Sequence, residues 1–226
     1  MKSILLLSGG LDSAVCLAQS VKETEVALCL TFDYGQRAAA QEIKAARSLA
    51  AHYRLEHRVI HLPFLAEITK TSLVNREEEV PNLTRKQLDD REGTTLATAA
   101  KVWVPNRNGL FINIAAGFGE SLDCGLIITG YNKEEASTFP DNSPDFVEAV
   151  NQSLSFSTQN KIKVLSYTQD LDKIEIVRLG RQLGLPFHLL WSCYHGNAEM
   201  CGTCESCQRL ARALEVNGIE IPFSTK

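Results

Sequence analysis

Two clusters of residues have side chains and spacing suited to chemistry. The first is Ser8-Gly9-Gly10-Leu11-Asp12-Ser13, which follows the apolar run Ser3-Ile4-Leu5-Leu6-Leu7. A buried strand that breaks at a Gly-Gly turn into a helix is an anion-binding design. The glycines admit close backbone approach, and the free N–H groups and positive dipole end of the helix face the anion. Asp12 adds a carboxylate where a phosphate-bound Mg²⁺ would sit, because that ion prefers hard oxygen ligands. The second cluster is Cys193, Cys201, Cys204 and Cys207, three thiols at intervals of three with a fourth eight residues upstream. Four thiolates fill the tetrahedral shell of a Zn²⁺ ion at about 2.3 Å and leave no position for water, which makes such an ion structural. An iron–sulfur cluster is the alternative occupant. His195 offers a further ligand that four thiolates make unnecessary, while Cys16, Cys29 and Cys124 lie in apolar segments and read as small buried hydrophobes.

Other phosphate-binding designs are excluded by their letters. No Gly-x4-Gly-Lys-Ser/Thr string exists, and in Gly117-Phe118-Gly119 the third glycine of a dinucleotide fingerprint is replaced by Leu122. The bulk composition narrows the partners. The chain has 226 residues, 44% of them hydrophobic, and a net charge of −4. That is enough for one large domain with an appendage, and too acidic, with no long Lys/Arg run, to grip a nucleic-acid backbone over a wide surface. No secretory signal is apparent and no run approaches the roughly 20 apolar residues of a membrane span. A cytoplasmic location is expected, and in that reducing compartment crowded cysteines favour metal over disulfides.

Elements that position these clusters alternate along the chain. Strands are expected at 3–7, 25–31, 54–61, 125–129 and 162–167. Helices are expected at 12–22, 37–53, 110–122, 143–157 and 172–183, the last stopped by Gly184 and Pro186, with a C-terminal helix near 205–216. This order predicts an α/β fold: a doubly wound parallel sheet covered on both faces, with ligands beyond the carboxyl ends of the strands. Loops 8–13, 32–37, 130–142 and 167–173 would then converge on one pocket. The expected division is a catalytic domain over 1–190 and a four-cysteine appendage with its helix over 191–226. Segment 69–93 is polar and mixed in charge, and reads either as a solvated excursion or as a mobile lid or dimer contact.

Ser-Gly-Gly-x-Asp-Ser after a strand resembles the signature of the PP-loop ATP pyrophosphatases, adenine-nucleotide-hydrolase-like enzymes that adenylate a substrate as pyrophosphate leaves. Further features narrow the resemblance: Phe32-Asp33-Tyr34-Gly35-Gln36-Arg37 after the second strand, Val104-Pro105-Asn106-Arg107-Asn108 before a helix, and Ser192-Cys193-Tyr194 opening the cysteine quartet. In this order the chain is similar, from residue 3 to about 214, to the 7-cyano-7-deazaguanine synthases of queuosine biosynthesis.

That resemblance implies ATP-dependent conversion of 7-carboxy-7-deazaguanine and ammonia to a nitrile, through an adenylated carboxylate and an amide. Ser8, Gly9, Gly10, Leu11, Asp12 and Ser13 would hold the triphosphate, with Ala14 and Val15 continuing the nucleotide site and Asp12 beside Mg²⁺. Lys173 matches a family lysine whose point charge would neutralise phosphate, and Asp12, Ser13, Lys173 and Arg107 form the expected catalytic set. Arg107 would also fork onto the substrate carboxylate, with Asn108 and Asp141 nearby. Asp33 and Gln36 would meet the adenosine or the deazaguanine edge, the plainer reading being turn capping. Zn²⁺ is the expected structural cofactor and a homodimer the expected assembly, with no nucleic-acid or membrane partner.

Two departures from the family pattern fall near the expected pocket. Asn142 and Ser143 stand where a Cys and an Arg are usual after Pro140-Asp141, and Ala38 stands where a His often follows Gln36-Arg37. The rival readings are a tRNA-modifying or other amide-forming PP-loop enzyme, which would show a basic docking surface, and a non-catalytic ATP-binding module.

Overall fold

The computed structural model describes residues 1–82, 88 and 94–223, with the backbone alone for 94–97. Five strands, β1 (Lys2–Leu6), β2 (Glu25–Asp33), β3 (His57–His61), β4 (Leu126–Ile128) and β5 (Lys163–Leu165), form one sheet in the order β3-β2-β1-β4-β5. Every pairing is parallel, with Leu5 opposite Cys29 on one side and Ile128 on the other. Successive side chains of a strand point to opposite faces, and the core divides accordingly. Leu5, Leu7, Cys29 and Ile128 pack under one helical layer; Ile4, Leu28, Leu30, Phe32 and Ile127 pack under the other. The doubly wound parallel α/β sheet expected from the sequence is the fold observed.

On the first face lie α1 (Leu11–Glu23), α2 (Ala39–His52), α8 (Lys173–Leu183) and α9 (Glu205–Val216). On the second lie α5 (Arg107–Ser121) and α7 (Pro144–Ser157). Leu210, Ala213 and Leu214 of α9 share one apolar cluster with Leu5 of β1 and Leu7 just after it, so the C-terminal helix is packed into the main core. Cys16, Cys29 and Cys124 are fully buried. Three helices, α3 (Pro63–Ile68), α4 (Thr94–Lys101) and α6 (Lys133–Ala136), have no counterpart among the sequence expectations. Most of the charged half of segment 69–93, a candidate lid, lies outside the described residues; in the part that is described, Leu73 and Val80 are buried.

Strand order reverses between β1 and β4: β2 and β3 lie to one side of β1, β4 and β5 to the other. The crevice beyond the carboxyl ends of two such strands is where open α/β sheets bind ligands. The loops that fill this crevice here are 7–10, after β1, and 129–132, after β4. Among the described residues no helix is long and apolar enough to cross a membrane.

Candidate active site and metal centre

A cavity of about 300 Å³ opens at that crevice, and Ser8, Gly10, Leu11, Asp12, Ser13, Arg107, Asn108 and Lys173 all line it. Its phosphate-like end is built by the turn into α1. Gly9 has φ +83°, and a Cβ there would stand 2.8 Å from Ala45 Cβ and 2.9 Å from the Glu42 carbonyl of α2. Only glycine takes that conformation and that contact without strain. Ser13 Oγ donates to the Gly10 carbonyl at 3.1 Å and accepts the Ser8 N–H at 3.3 Å, which closes the turn. No side chain caps α1, and its first intrahelical bond runs from Ala14 N–H to the Gly10 carbonyl. The N–H groups of the first helical turn are therefore left for a ligand. Gly130, after β4, seals the far wall, since a Cβ there would lie 2.6 Å from the Ser13 nitrogen.

A charged network faces this helix start. Lys173 Nζ donates to Asp12 Oδ2 at 2.5 Å and to Glu135 Oε1 at 2.8 Å. An Asp172–Glu175 capping box starts α8 and makes Lys173 its first residue, so the side chain reaches the sheet edge. Burial pushes the Asp12 carboxyl up to about 6; Lys173 works against that rise, and Glu135 and Glu134 add to it. For Lys173 burial favours the neutral amine, yet Asp12 and Glu135 override it and raise its pKa. The same lysine holds Glu135 below its ordinary range against the effect of burial. Asp12 Oδ1 is buried with no hydrogen-bond partner among the described residues. A carboxylate oxygen left unpaired beside an anion-binding helix start fits a hard cation such as Mg²⁺.

The other end of the cavity is aromatic. Phe32 and Phe111 stack with centroids 4.0 Å apart, and Tyr34 packs against Phe111 at 5.8 Å. Arg107 sits over the Tyr34 ring at 5.7 Å and donates to its hydroxyl at 3.1 Å. Burial disfavours that charge, while Tyr34, Asp141 and Glu42 more than offset it and raise the pKa. Asn108 Nδ2 donates to the Asp141 carbonyl at 3.2 Å, which ties the start of α5 to the Pro140–Asn142 turn.

Several expected site residues stand elsewhere. Ala14 and Val15 are fully buried because their positions on α1 point into the sheet, away from the cavity. Gly9 faces α2. The Asp33 carboxylate accepts the Gly35 N–H at 3.1 Å and pairs with His61 Nδ1 at 3.1 Å, so it caps its own turn outside the cavity wall. Gln36 lines the cavity, but its amide is occupied by the Phe32 carbonyl, Glu42 and the Tyr34 N–H. Asp141 also lies outside the lining and accepts from Asn142 Nδ2 at 3.1 Å. The departures have local roles: Asn142 is buried and Gln169 donates to its carbonyl, Ser143 caps α7 by accepting the Phe146 N–H, and Ala38 is buried at the N-cap of α2. Tyr131 and Glu134, from the 130–142 loop expected at the pocket, line the cavity, and so do Trp191 and Arg209, which were not assigned to it.

The cysteine quartet stands beside this cavity. The four Sγ atoms of Cys193, Cys201, Cys204 and Cys207 lie within 4.8 Å of one another. Backbone N–H groups of His195 and Cys201 point at Cys193 Sγ, at 3.3 and 3.4 Å, and those of Thr203 and Cys204 at Cys201 Sγ, at 3.4 and 3.3 Å. Such donors stabilise thiolates, and four thiolates that close together suit a tetrahedral soft-ligand ion. The strand of chain that enters the quartet is bound to the phosphate turn: Trp191 N–H donates to the Gly9 carbonyl at 2.9 Å.

Residues 2–218 match the family described as "Queuosine biosynthesis protein QueC". A 7-cyano-7-deazaguanine synthase of Pelotomaculum thermopropionicum is 60% identical over 221 residues, 98% of this chain and 100% of the relative. One from Desulforudis audaxviator is 59% identical over 213 residues, 94% of this chain and 96% of the relative. An archaeal one, from Methanosarcina mazei, is 47% identical over 225 residues, 99% and 97% of the two chains. With residues 2–218 matched by the family and a relative 60% identical over 98% of the chain, the chain belongs to the family of the queuosine biosynthesis protein QueC.

Proposed function

We propose that this protein is an ATP-dependent 7-cyano-7-deazaguanine synthase acting on 7-carboxy-7-deazaguanine and ammonia. The observation that carries the reading is the meeting, in one cavity, of an uncapped helix start with Asp12 and Lys173 at one end and Arg107 among aromatic rings at the other. A carboxylate is a poor electrophile until its oxygen is made a leaving group. In the first stage a substrate carboxylate oxygen bonds to the α-phosphorus of ATP and pyrophosphate departs. Ammonia then adds to the acyl carbon, AMP leaves with that oxygen, and an amide remains after loss of a proton. In the second stage the amide oxygen takes an adenylyl group from a second ATP, pyrophosphate departs, and the nitrogen gives up one of its two protons. Loss of AMP and of the remaining nitrogen-bound proton leaves the nitrile.

The chain's own residues serve these steps by position and charge. The Gly10–Ser13 turn holds phosphate oxygens on backbone N–H groups. Lys173 supplies a fixed positive charge where pyrophosphate gathers negative charge. Arg107, a planar fork rather than a point charge, orients the carboxylate, and the flat Phe32–Phe111 pair gives a heterocycle a surface to stack on. Bound Mg²⁺ would neutralise phosphate charge, with Asp12 holding it. Zn²⁺ in the quartet would be structural. A cytoplasmic, homodimeric enzyme working on small molecules belongs to the same reading, and light scattering checks the assembly.

Mass spectrometry of the products tests the activity. Purified protein with ATP, Mg²⁺, ammonium and 7-carboxy-7-deazaguanine is expected to yield the nitrile with AMP. ATP binding without any nitrile would sink the reading in favour of another adenylated substrate.

A further inference from the structure

We infer that Arg209 is a positioning residue that holds the phosphate-side lysine in register with the cysteine quartet. Arg209 lies in the first turns of α9, two residues after Cys207. Its guanidinium forks between two acids: Nε and Nη2 donate to Glu205 Oε1 at 3.1 and 2.9 Å, and Nη1 donates to Glu134 Oε2 at 2.9 Å. The side chains of Arg209, Glu134 and Glu205 are 15%, 11% and 10% exposed, so solvent screens this network little. The other oxygen of Glu134 accepts the backbone N–H of Lys173 at 2.9 Å.

That last bond gives the network its consequence. The first N–H groups of a helix have no partner inside it. In α8 the capping box satisfies the N–H groups of Asp172 and Glu175, which leaves the Lys173 N–H to Glu134. Glu134 belongs to α6, a four-residue helix too short to fix a side chain by its own packing. Arg209 fixes it instead, with Arg212 at 3.9 Å from the same oxygen as a second, more distant cation. At its far end Arg209 is anchored by Glu205, whose neighbour Cys204 is both a quartet thiol and the N-cap of α9. A continuous path of hydrogen bonds thus runs from the quartet helix through Arg209 and Glu134 to the residue whose ammonium meets Asp12. Arg209 is suited to this because a planar fork can serve two carboxylates at once, which an ammonium does less well.

The kinetic consequence rests on the activity proposed above; the structural consequence does not. The deciding experiment is amide hydrogen exchange, read by NMR, on metal-bound Arg209→Met, with steady-state kinetics and elemental analysis on the same protein. The Lys173 amide is expected to exchange at least tenfold faster, while Val177 in the middle of α8 stays within twofold and the metal stays near wild-type content. The kcat is expected to fall on the order of tenfold to a hundredfold, the scale set by small misplacements of catalytic groups, with the KM for ATP within threefold. Arg209→Lys should fall between the two. The inference is overturned if the Lys173 amide is unchanged, if Lys173 and Val177 speed up together, or if the metal is lost. Should Arg209→Met fail to fold, Glu134→Gln is read the same way: it keeps an acceptor for the Lys173 N–H and loses the ion pair. A Lys173 amide at least threefold faster supports the inference, and an unchanged one overturns it. If the wild-type enzyme makes no nitrile, the proposed activity fails while the exchange result still decides this point.

Discussion

The cysteine quartet and the phosphate end of the cavity are neighbours built by opposite routes. The quartet draws all its thiols from residues 193–207, and its shape follows from short spacings, a permissive Gly202 and local N–H···S bonds. The charged end of the cavity draws Asp12 from α1, Glu134 and Glu135 from α6, Lys173 from α8 and Arg209 from α9. Nothing local brings these together; the reversal of strand order does. The difference teaches how each should fail. A locally built site loses its ligand and its fold together when one member goes. A site assembled by the fold loses its chemistry first, because the sheet survives the loss of one side chain.

The sharpest way to break this contrast is Lys173→Met. It removes the common counter-ion of Asp12 and Glu135, whose side chains are 14% and 37% exposed, and the positive charge facing the phosphates. Turnover is expected to fall by roughly 10³-fold, while circular dichroism and metal content stay native. A loss under tenfold would show that the network is structural. Next in size, Cys204→Ser opens the quartet at a fully buried position. Elemental analysis should show metal falling well below one ion per chain, and the melting temperature should drop by about 10 °C, as the loss of about 3 kcal/mol would give in a chain of this size. Metal retained at full content would end the four-thiol assignment. A third change, Arg107→Lys, keeps the charge and removes the fork. The KM for the carboxylate substrate should rise about tenfold with the KM for ATP unchanged, and equal effects on both would remove Arg107 from the substrate end. The smallest effect is expected from Asn142→Ala, which removes the side-chain hydrogen bond to Asp141 Oδ1 at the Pro140–Asn142 turn. A stability loss of about 1 kcal/mol in urea titration follows from that one lost hydrogen bond, and a change in metal content would contradict the separation of the two regions.

The regular parts of this molecule were legible because each is written in a short stretch of chain. The apolar run before Ser8 is β1, the Asp172 and Gly184 boundaries enclose α8, and the expected helix at 205–216 matches α9. Lys173 was legible from its place at a helix start beyond a strand. Its partners were not. Glu134 and Glu135 stood in a flagged loop, but a helix of four residues leaves no periodic trace from which to read their direction. Arg209 and Glu205 stand four apart on α9, a spacing common to surface pairs, and it takes the packing of α9 on α8 to enclose them. Asp33 and Gln36 carried two readings, ligand contact and turn capping; both side chains serve the turn after β2, and Gln36 also lines the cavity. Ala14 and Val15 followed a motif in sequence, and helix geometry carried them around to the core side of α1.

The span of chain between Asp12 and Lys173, 161 residues, also sets a timetable. During synthesis the phosphate turn leaves the ribosome long before α8, and longer still before Trp191 reaches back to Gly9 and α9 closes over the first core layer. Pairings so distant along the chain carry a large loop-closure cost and form late. Until they form, the nascent chain has a glycine turn but no lysine opposite it. The cavity is complete only when the last-made third of the described chain has docked on the first.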